Sequence, residues 1–344
     1  MENFLNIRNN YEETELKKVA TIIKNGGLVL FPTETVYGIG TNGLDEKAVE
    51  KIYEIKKRDR KNPINLLVSS MEMIESITQD ISPLEYKLME AFFPGPFTII
   101  LKKRKIIPNI VTANSNLVGI RMPSGEIAKR LVELAGVPIA APSANISGKP
   151  SGTNLKDIIH EFSGYLDFTI DGGESKIGME STVVRVINNI PHILRPGSIT
   201  PEQIKTVAGN VILEENENSI LPSSNMKHYQ LDTESILIYS KDNQKMIHKI
   251  ADLSKDCKSP VVLCCQENAE FYANQDTIKK VIVIASKDNL EEYSRNLFSS
   301  LRKASSLSSD KILIEGVNKD GIGIAIMNRL LHACNHHYIE LKSE

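Results

Sequence analysis

The sequence is poor in cysteine, and the few cysteines that it has are not spaced as metal ligands. Only four occur among 344 residues, all in the last third of the chain, and none forms a CxxC pair. Two of them lie in the apolar run "PVVLCC", which indicates buried, reduced thiols. His336 and His337 follow Cys334 closely, but a structural zinc site needs a second spaced ligand pair. The sequence therefore predicts no metal site in the protein itself.

Long apolar segments are also missing. No run approaches the ~20 residues that a helix needs to cross a bilayer. The stretch "MENFLNIRNNYEE" lacks the cationic start and apolar core of a signal peptide. These absences predict a soluble, cytoplasmic protein with no membrane partner.

The chain carries no excess of positive charge and few histidines. Its formal net charge is −2, whereas nucleic-acid-binding domains usually have a broad basic excess, so no stable nucleic-acid binding is expected of the whole chain. Of seven histidines, only His160 and His192 fall in the first 209 residues, and no Ser–His–Asp or Cys–His arrangement stands out. A mechanism with a covalent nucleophile is therefore not indicated.

What the sequence does contain is an alternation of apolar, β-rich runs with amphipathic stretches. Examples of the runs are "GLVLF" (27–31), "FTIILKK" (97–103) and "STVVRVI" (181–187). The stretch 45–58 has helical periodicity, with Asp45 as a plausible cap. Because some runs are joined by short turns, the first sheet is predicted to be mixed rather than purely parallel.

A polar segment divides the chain. Residues 210–234 are rich in Asn and Ser and have no sustained periodicity, which is typical of a linker. Beyond it, four apolar runs alternate with helix-like segments, which predicts a small parallel α/β domain of Rossmann-like architecture. The predicted organisation is a first domain at 1–209, a linker at 210–234 and a second domain at 235–344.

The run "EIKKRDRKNP" (54–63) contains five cations and one aspartate between positions 56 and 61. Cations at the end of a helix complement its dipole, and solvent exposure alone would explain them. However, Asn62 and Pro63 stop the helix abruptly, and Lys56 and Arg58 would point the same way if the segment were extended. A fixed pair of cations beside a sheet suits a polyphosphate.

Polar side chains also recur at the ends of apolar strands. Thr33 and Thr35 lie two residues apart in "PTETVYG", where ordinary strand-end capping is an equally good explanation. Ser143 and Asn145 alternate in the otherwise apolar "APSANISG", where polar groups need partners. Such hydroxyls and amides, together with positive charge, indicate a site that positions an anion.

Two arginines end apolar strands in a similar way. The guanidinium groups of Arg121 in "GIRMP" and Arg195 in "LRPG" could each bind a carboxylate or phosphate through two hydrogen bonds.

The run "GIGTNG" (38–43) satisfies the G-x-G-x-x-G pattern, but "PTET" separates it from the preceding strand. We therefore expect these glycines to form a tight turn near a ligand rather than a dinucleotide fingerprint.

Six motifs together carry a resemblance to a known family. In chain order they are "PTETVYGIG", "KKR", "RMP", "PSANISGKPS", "ESTVV" and "LRPGSIT", and they closely resemble the YrdC-domain threonylcarbamoyl-AMP synthases. "EYSRNLFSSLRKAS" and "GIGIAIMNRLLHAC" are similar to the C-terminal domain of the family's two-domain form, so the resemblance covers nearly the whole chain. It implies an α/β fold with a YrdC-like twisted mixed sheet and helices, a smaller Rossmann-like domain, and a linker that closes over the active site.

The resemblance also implies an activity. Such enzymes convert L-threonine, bicarbonate and ATP into threonylcarbamoyl-AMP and pyrophosphate, with Mg²⁺ carried by ATP. The product supplies the N6-threonylcarbamoyladenosine modification of tRNA, so the implied partners are the small-molecule substrates and the downstream tRNA threonylcarbamoyl-transfer machinery.

Site residues follow from the same resemblance. The catalytic residues would be Lys56, Arg58, Ser143 and Asn145. ATP would be bound by Lys56, Arg58, Asn62, Ser143, Ser151, Arg195 and, from the linker, Tyr229. Threonine would be bound by Thr33, Thr35 and Arg121. Leu67 stands where many members carry a histidine near threonine.

Three other functions are weighed against this one. A double-stranded-RNA-binding module could use the same basic surface, but the acidic pI near 6.4 disfavours it. A carbamoyl-transfer factor of hydrogenase maturation would also carry acylphosphatase and zinc-finger segments, which this sequence lacks. A nucleotide-dependent oxidoreductase would need a strand directly before "GIGTNG".

Overall fold

The computed structural model describes residues 3–8, 11–214 and 229–342 of the chain. Contacts divide the chain into two units, Met1–Ser147 with Ser151–Met226, and Gly148–Pro150 with Lys227–Glu344. Most of the predicted linker lies outside the described residues. Within the described ranges, no helix has both the length and the apolar character needed to cross a membrane.

Twelve strands among the described residues build one mixed sheet in the first unit. Their order is β1-β9-β2-β3-β8-β4-β7-β6-β10-β11-β12, with β5 paired to β6; the bounds are β1 Phe4–Asn6, β2 Val29–Phe31, β3 Gly38–Asn42, β4 Leu66–Leu67, β5 Thr78–Gln79, β6 Phe97–Lys103, β7 Leu117–Arg121, β8 Ile139–Ala140, β9 Phe168–Asp171, β10 Thr182–Ile187, β11 Ile190–Arg195 and β12 Ile212–Leu213. Strands β2 and β3 pair antiparallel, whereas β6 and β10 pair parallel. The prediction of a mixed sheet is confirmed.

Helices pack against both faces of this sheet. Their bounds are α1 Glu13–Lys24, α2 Glu46–Lys56, α3 Met71–Ile77, α4 Pro83–Phe92, α5 Glu126–Ala135 and α6 Pro201–Ala208. Successive residues of a strand point to opposite faces. Accordingly, Leu30 joins a core with α2 and α4, whereas Val29 and Phe31 join a core with α1 and α5.

Helix α2 is defined by signals at both ends. The Asp45 carboxylate accepts hydrogen bonds from the backbone N–H groups of Lys47 and Ala48 at 3.0 and 3.2 Å, which confirms the predicted cap. Its last residue is Lys56, because Lys57 adopts a left-handed conformation with φ of 50°. The segment after Lys56 is therefore not a continuous extended strand, so the alternation of an extended chain does not place Lys56 and Arg58 on the same side.

The prediction of a tight turn at "GIGTNG" is wrong for Gly38 and Gly40 and right only for Gly43, which lies in the turn after β3. Residues 38–42 form β3, and Gly40 pairs with Val29 in the sheet. A Cβ at Gly40 would lie only 2.6 Å from the Phe31 ring and 2.7 Å from the Ile139 side chain. Glycine is required there by close packing across strands and not by a turn.

The second unit is a parallel sheet with helices. Its described strands are β13 Ser235–Ser240, β14 Val261–Cys264, β15 Lys280–Val283, β16 Ile312–Glu315 and β17 Tyr338–Leu341, and its helices are α7 Asn243–Lys255, α8 Ala269–Ala273, α9 Leu290–Ser305 and α10 Gly323–Ala333. The strand order is β15-β14-β16-β13-β17, and each paired neighbour is parallel. This confirms the predicted Rossmann-like architecture.

A buried carboxylate lies at the end of the central strand β16. Glu315 accepts hydrogen bonds from the backbone N–H of Cys265 (2.6 Å), the Asn268 amide (2.7 Å) and the Tyr272 hydroxyl (2.7 Å). Burial nevertheless raises the pKa of Glu315. Because these three hydrogen-bond donors all belong to the same unit as Glu315, we interpret this network as structural.

Candidate active site

The cation run and the "PSAN" motif meet at the end of α2. Lys56 is 1% exposed, and its Nζ donates hydrogen bonds to the backbone carbonyls of Ser143, at 2.6 Å, and Asn145. In return, the backbone N–H of Ser147 donates to the Lys56 carbonyl at 2.9 Å. The 143–147 loop therefore wraps around the end of the helix and fixes the position of the ammonium group.

A second positive group lies on the loop that follows. Arg58 donates from Nε to the Asn62 carbonyl (3.2 Å) and from Nη2 to the Pro63 carbonyl (2.8 Å). Burial lowers the pKa of Arg58; the Tyr53 hydroxyl opposes this effect, and the positive charge of Arg195 adds to it. Two guanidinium groups that repel each other in a partly buried setting favour an anion as their shared partner.

Two further hydrogen-bond donors, on residues that contact or interact with Arg58, have no acceptor among the described residues. They are Nδ2 of Asn62, a residue only 2% exposed, and Nε of Arg195. Buried donors without a partner are uncommon in folded proteins and require an explanation. A ligand with several anionic oxygens would supply the missing acceptors.

The Ser143 and Asn145 side chains orient each other. Ser143 Oγ donates to Asn145 Oδ1 at 2.7 Å, and Asn145 Nδ2 donates to the Ile146 carbonyl at 2.9 Å. Between them, the backbone N–H of Ala144 donates to the Tyr37 carbonyl at 2.7 Å. This bond connects the 143–147 loop to the segment 32–38, which contains Thr33 and Thr35.

Thr33, Thr35 and Arg121, for which the resemblance implied threonine binding, lie in contact with one another. Arg121 Nη1 donates to Thr35 Oγ1 at 2.8 Å, and the two threonine hydroxyls lie 2.9 Å apart. Thr33 Oγ1 in turn donates to the Val36 carbonyl at 2.6 Å. Since Thr33 thus uses its own hydrogen, Thr35 must donate to Thr33, and the bonds run in one direction from Arg121 to Val36.

Glu34 is a residue of this site that the sequence analysis missed. Its carboxylate lies 2.7 Å from Arg121 Nη2 and accepts the backbone N–H groups of Ser124 (3.0 Å) and Gly125 (3.1 Å) at the start of α5. Burial alone would raise the pKa of Glu34, but the charge and hydrogen bonds of Arg121 and the backbone donor of Ser124 hold it below its usual range. Glu34 is therefore an ionised, buried carboxylate at neutral pH.

The "ESTVV" and "LRPG" motifs meet beside these groups. Arg195 Nη2 donates to the Ser181 carbonyl at 2.9 Å. Ser151 is 1% exposed, and its hydroxyl donates to the carboxylate of Glu180. A Cβ at Gly197 would lie 2.4 Å from the backbone nitrogen of Thr182, so only glycine allows this close approach.

Tyr229 and Leu67 are the remaining positions that the sequence analysis singled out. Tyr229 belongs to the second unit, where its ring centroid lies 5.1 Å from that of Phe298 and the Arg329 guanidinium lies 5.5 Å from it. Its predicted role over a nucleotide stays a prediction. Leu67 is 3% exposed in β4 and packs in the apolar core beside Phe31 and Ile139.

Family models match both parts of the chain. A model for Sua5, YciO and YrdC proteins, described as "Telomere recombination", matches residues 21–197. A second model, described as "Threonylcarbamoyl-AMP synthase, C-terminal domain", matches residues 199–335.

Curated relatives and a solved structure match over nearly full length. The threonylcarbamoyl-AMP synthase of Pyrococcus abyssi is 37% identical over 346 residues, covering 98% of this chain and 99% of the relative. That of Bacillus subtilis is 36% identical, covering 93% of each. The crystal structure of P. abyssi Sua5 in complex with L-threonine has a TM-score of 0.90 at 36% identity, covering 98% of this chain and 99% of that chain.

Proposed function

The chain belongs to the Sua5/YrdC family of threonylcarbamoyl-AMP synthases, which are ATP-using, adenylyl-transferring enzymes, and we propose that the clusters described above in its first unit form the active site. The reaction joins L-threonine, bicarbonate and ATP into threonylcarbamoyl-AMP and releases pyrophosphate. The alternative of a double-stranded-RNA-binding module is not favoured, because the full-length relatives are synthases.

We assign the triphosphate to the cluster around Lys56. Lys56, Arg58 and Arg195 supply positive charge, and Asn62 and Arg195 each offer a buried donor that has no acceptor among the described residues. These orphaned donors are the observation that carries the proposal. Ser143, Asn145 and Ser151 would complete the phosphate contacts, with Ser143 and Asn145 already oriented by their mutual hydrogen bond.

We assign L-threonine to Thr33, Thr35 and Arg121. The guanidinium is already fixed by Thr35 and Glu34, so it offers a rigid edge to the substrate carboxylate. A substrate oxygen near Thr35 could take the hydrogen that Thr35 otherwise gives to Thr33. The bond between Ala144 and Tyr37 brings this pocket next to the phosphate cluster.

The chemistry needs positioning and charge stabilisation rather than a protein nucleophile. The amine of threonine and bicarbonate form a carbamate with loss of water, a carbamate oxygen attacks the α-phosphorus, and the bond to pyrophosphate breaks. Negative charge grows on the leaving pyrophosphate, where Lys56, Arg58 and Arg195 would stabilise it. Mg²⁺ is proposed to arrive with the triphosphate.

The remaining proposals concern the rest of the chain. The segment 210–234, which contains Tyr229, is proposed as a linker between a catalytic domain at 1–209 and a second domain at 235–344, closing over the nucleotide. Closure would protect the water-labile carbamate and mixed anhydride. The product is proposed to pass, in the cytoplasm, to separate machinery that transfers the threonylcarbamoyl group to tRNA.

One assay tests the assignment. The protein is incubated with ATP, bicarbonate, Mg²⁺ and each amino acid in turn, and the adenylate is detected by mass. We expect product with threonine, a loss of about 10²-fold or more in Arg58→Ala, and near-normal turnover in Arg60→Ala. Arg60 is the matched control because it is exposed and pairs with Glu50. Equal turnover with every amino acid, or equal activity of the two variants, would contradict the proposal.

A further inference from the structure

We propose that Ser147 is a further ligand of the triphosphate, donating a hydrogen bond from Oγ to a phosphate oxygen. The inference deepens the proposed function and rests on the assignment of the triphosphate to the Lys56 cluster. Ser147 lies in the "SANIS" loop, two residues after Asn145, and none of the roles assigned above includes its side chain.

The backbone places Ser147 directly at the cation cluster. Its N–H donates to the carbonyl of Lys56 at 2.9 Å, and the Lys56 ammonium donates back to the carbonyls of Ser143 and Asn145 in the same loop. The neighbouring N–H of Ile146 is held by the Glu161 carboxylate at 2.9 Å. These two bonds fix the backbone that leads into Ser147.

The Ser147 hydroxyl is buried, yet no acceptor or donor for it is found in the part of the chain that the structure describes. Ser143, in the same loop, shows the contrast, since its hydroxyl donates to Asn145 at 2.7 Å. A buried hydroxyl without a partner costs free energy in the unliganded protein. A protein can retain this cost when a bound ligand supplies the missing hydrogen-bond partner.

Three polar groups without a partner among the described residues therefore belong to residues that bond to, or interact with, Lys56 and Arg58. They are the Ser147 hydroxyl, the Asn62 amide nitrogen and Nε of Arg195, linked through Lys56 and Arg58. A triphosphate presents several acceptor oxygens on a short chain, enough for all three donors at once. A single water molecule carries no net charge and could not balance the positive charge of Lys56 and Arg58 as a triphosphate would.

The rival explanation is that the hydroxyl has a purely structural role, for example through ordered water. The two explanations differ in what removal of the oxygen does to the unliganded protein. If the ligand supplies the only partner of the Ser147 hydroxyl, this group destabilises the unliganded protein. Ser147→Ala should then leave the melting temperature unchanged or raise it. A structural hydroxyl should lower the melting temperature when it is removed.

The experiment measures binding of a non-hydrolysable ATP analogue and of adenosine by calorimetry, with the melting temperature of each unliganded variant. We expect Ser147→Ala to weaken the analogue by about 10- to 100-fold, the range for a hydrogen bond to a charged group, and to leave adenosine binding unchanged. Ser147→Thr, which keeps a hydroxyl, should retain most of the affinity. Thr41→Val is the matched control, because Thr41 lies on β3 and is fully buried, and its hydroxyl likewise has no partner in the described part of the chain. It should bind both ligands normally.

Arg58→Ala separates failure of this inference from failure of the proposed site. If Arg58→Ala loses the analogue while Ser147→Ala binds it normally, the assignment of Ser147 alone is overturned. If both variants bind it normally, the Lys56 cluster is not the triphosphate site and both proposals are overturned. Loss of analogue and adenosine together in Ser147→Ala, with a lowered melting temperature, would show a structural hydroxyl and also overturn the inference.

Discussion

Glu34 and Arg121 form a buried ion pair, with Arg121 Nη2 2.7 Å from Glu34 Oε1 and both side chains less than a tenth exposed. The same carboxylate accepts the backbone N–H groups of Ser124 and Gly125. Arg121 is thereby fixed from one side, while its Nη1 reaches Thr35. Removing one partner of such a pair leaves a buried charge without compensation, which is far more costly than losing an exposed pair.

Glu34→Gln should therefore destabilise the protein by about 3–5 kcal/mol and raise the KM for threonine more than the KM for ATP. The loss of charge releases Arg121 from its fixed orientation, whereas the Lys56 cluster is untouched. Urea unfolding and separate KM measurements test both parts. Glu133→Gln is the control, since Glu133 pairs with Arg130 at the surface and should change stability by at most about 1 kcal/mol. Equal effects of the two variants would refute the role of Glu34.

The same pair predicts a pH dependence of stability. The pKa of Glu34 is held below its usual value of 4.5, so folding favours the ionised form. Its contribution is complete above the pKa of the unfolded chain and is lost as the pH falls through the lower, folded pKa. The difference in unfolding free energy between wild type and Glu34→Gln should be largest near pH 7 and shrink below about pH 4.5. A difference that is constant from pH 7 to pH 3 would argue against ionisation of Glu34.

Lys56→Met should abolish most of the activity. The substitution removes positive charge and leaves the carbonyls of Ser143 and Asn145 without the donor that holds the loop. We expect kcat/KM for ATP to fall by about 10²-fold or more. Lys56→Arg should not restore it, because the planar guanidinium cannot reproduce the contacts of a compact ammonium in a site only 1% exposed. Full activity of Lys56→Arg would show that charge alone matters there.

Lys57→Gly should stabilise the protein without loss of activity. Lys57 ends α2 in a left-handed conformation with φ of 50°, which is strained for a residue with a Cβ. Glycine removes this strain of about 1–2 kcal/mol but gives the unfolded chain more conformational freedom, so we expect a net gain of about 0.5–1 kcal/mol in unfolding free energy, measured by urea denaturation. Lys57 is exposed, so substrate KM values should not change. A loss of stability would mean that the Lys57 side chain makes a contact that outweighs the backbone strain.

Local signals in the sequence were sufficient for much of the fold. Asp45 precedes an amphipathic stretch, and its role as a cap depends only on residues two and three positions away. The alternation of strands and helices after residue 234 likewise depends on short-range patterns. These features were predicted because the physics that produces them acts within a few residues.

Features that depend on distant partners could not be predicted from patterns alone. Glu34 is fixed by Arg121 and Ser124, about 90 positions away. Gly40 was mistaken for a turn residue because its real constraint is the Phe31 ring and the Ile139 side chain on neighbouring strands. In both cases the deciding contact appears only when the sheet is assembled, although the charged residue between two site threonines was a signal for Glu34.

The neutralisation of Arg121 bears on which amino acids the enzyme rejects. Glu34 already pairs with Arg121 beside Thr33 and Thr35, so the charge of this guanidinium is balanced before a substrate binds. The additional side-chain carboxylate of aspartate or glutamate would be repelled by the Glu34 carboxylate. Discrimination against acidic amino acids would then come from electrostatic exclusion, whereas the selection among neutral ones would be left to shape.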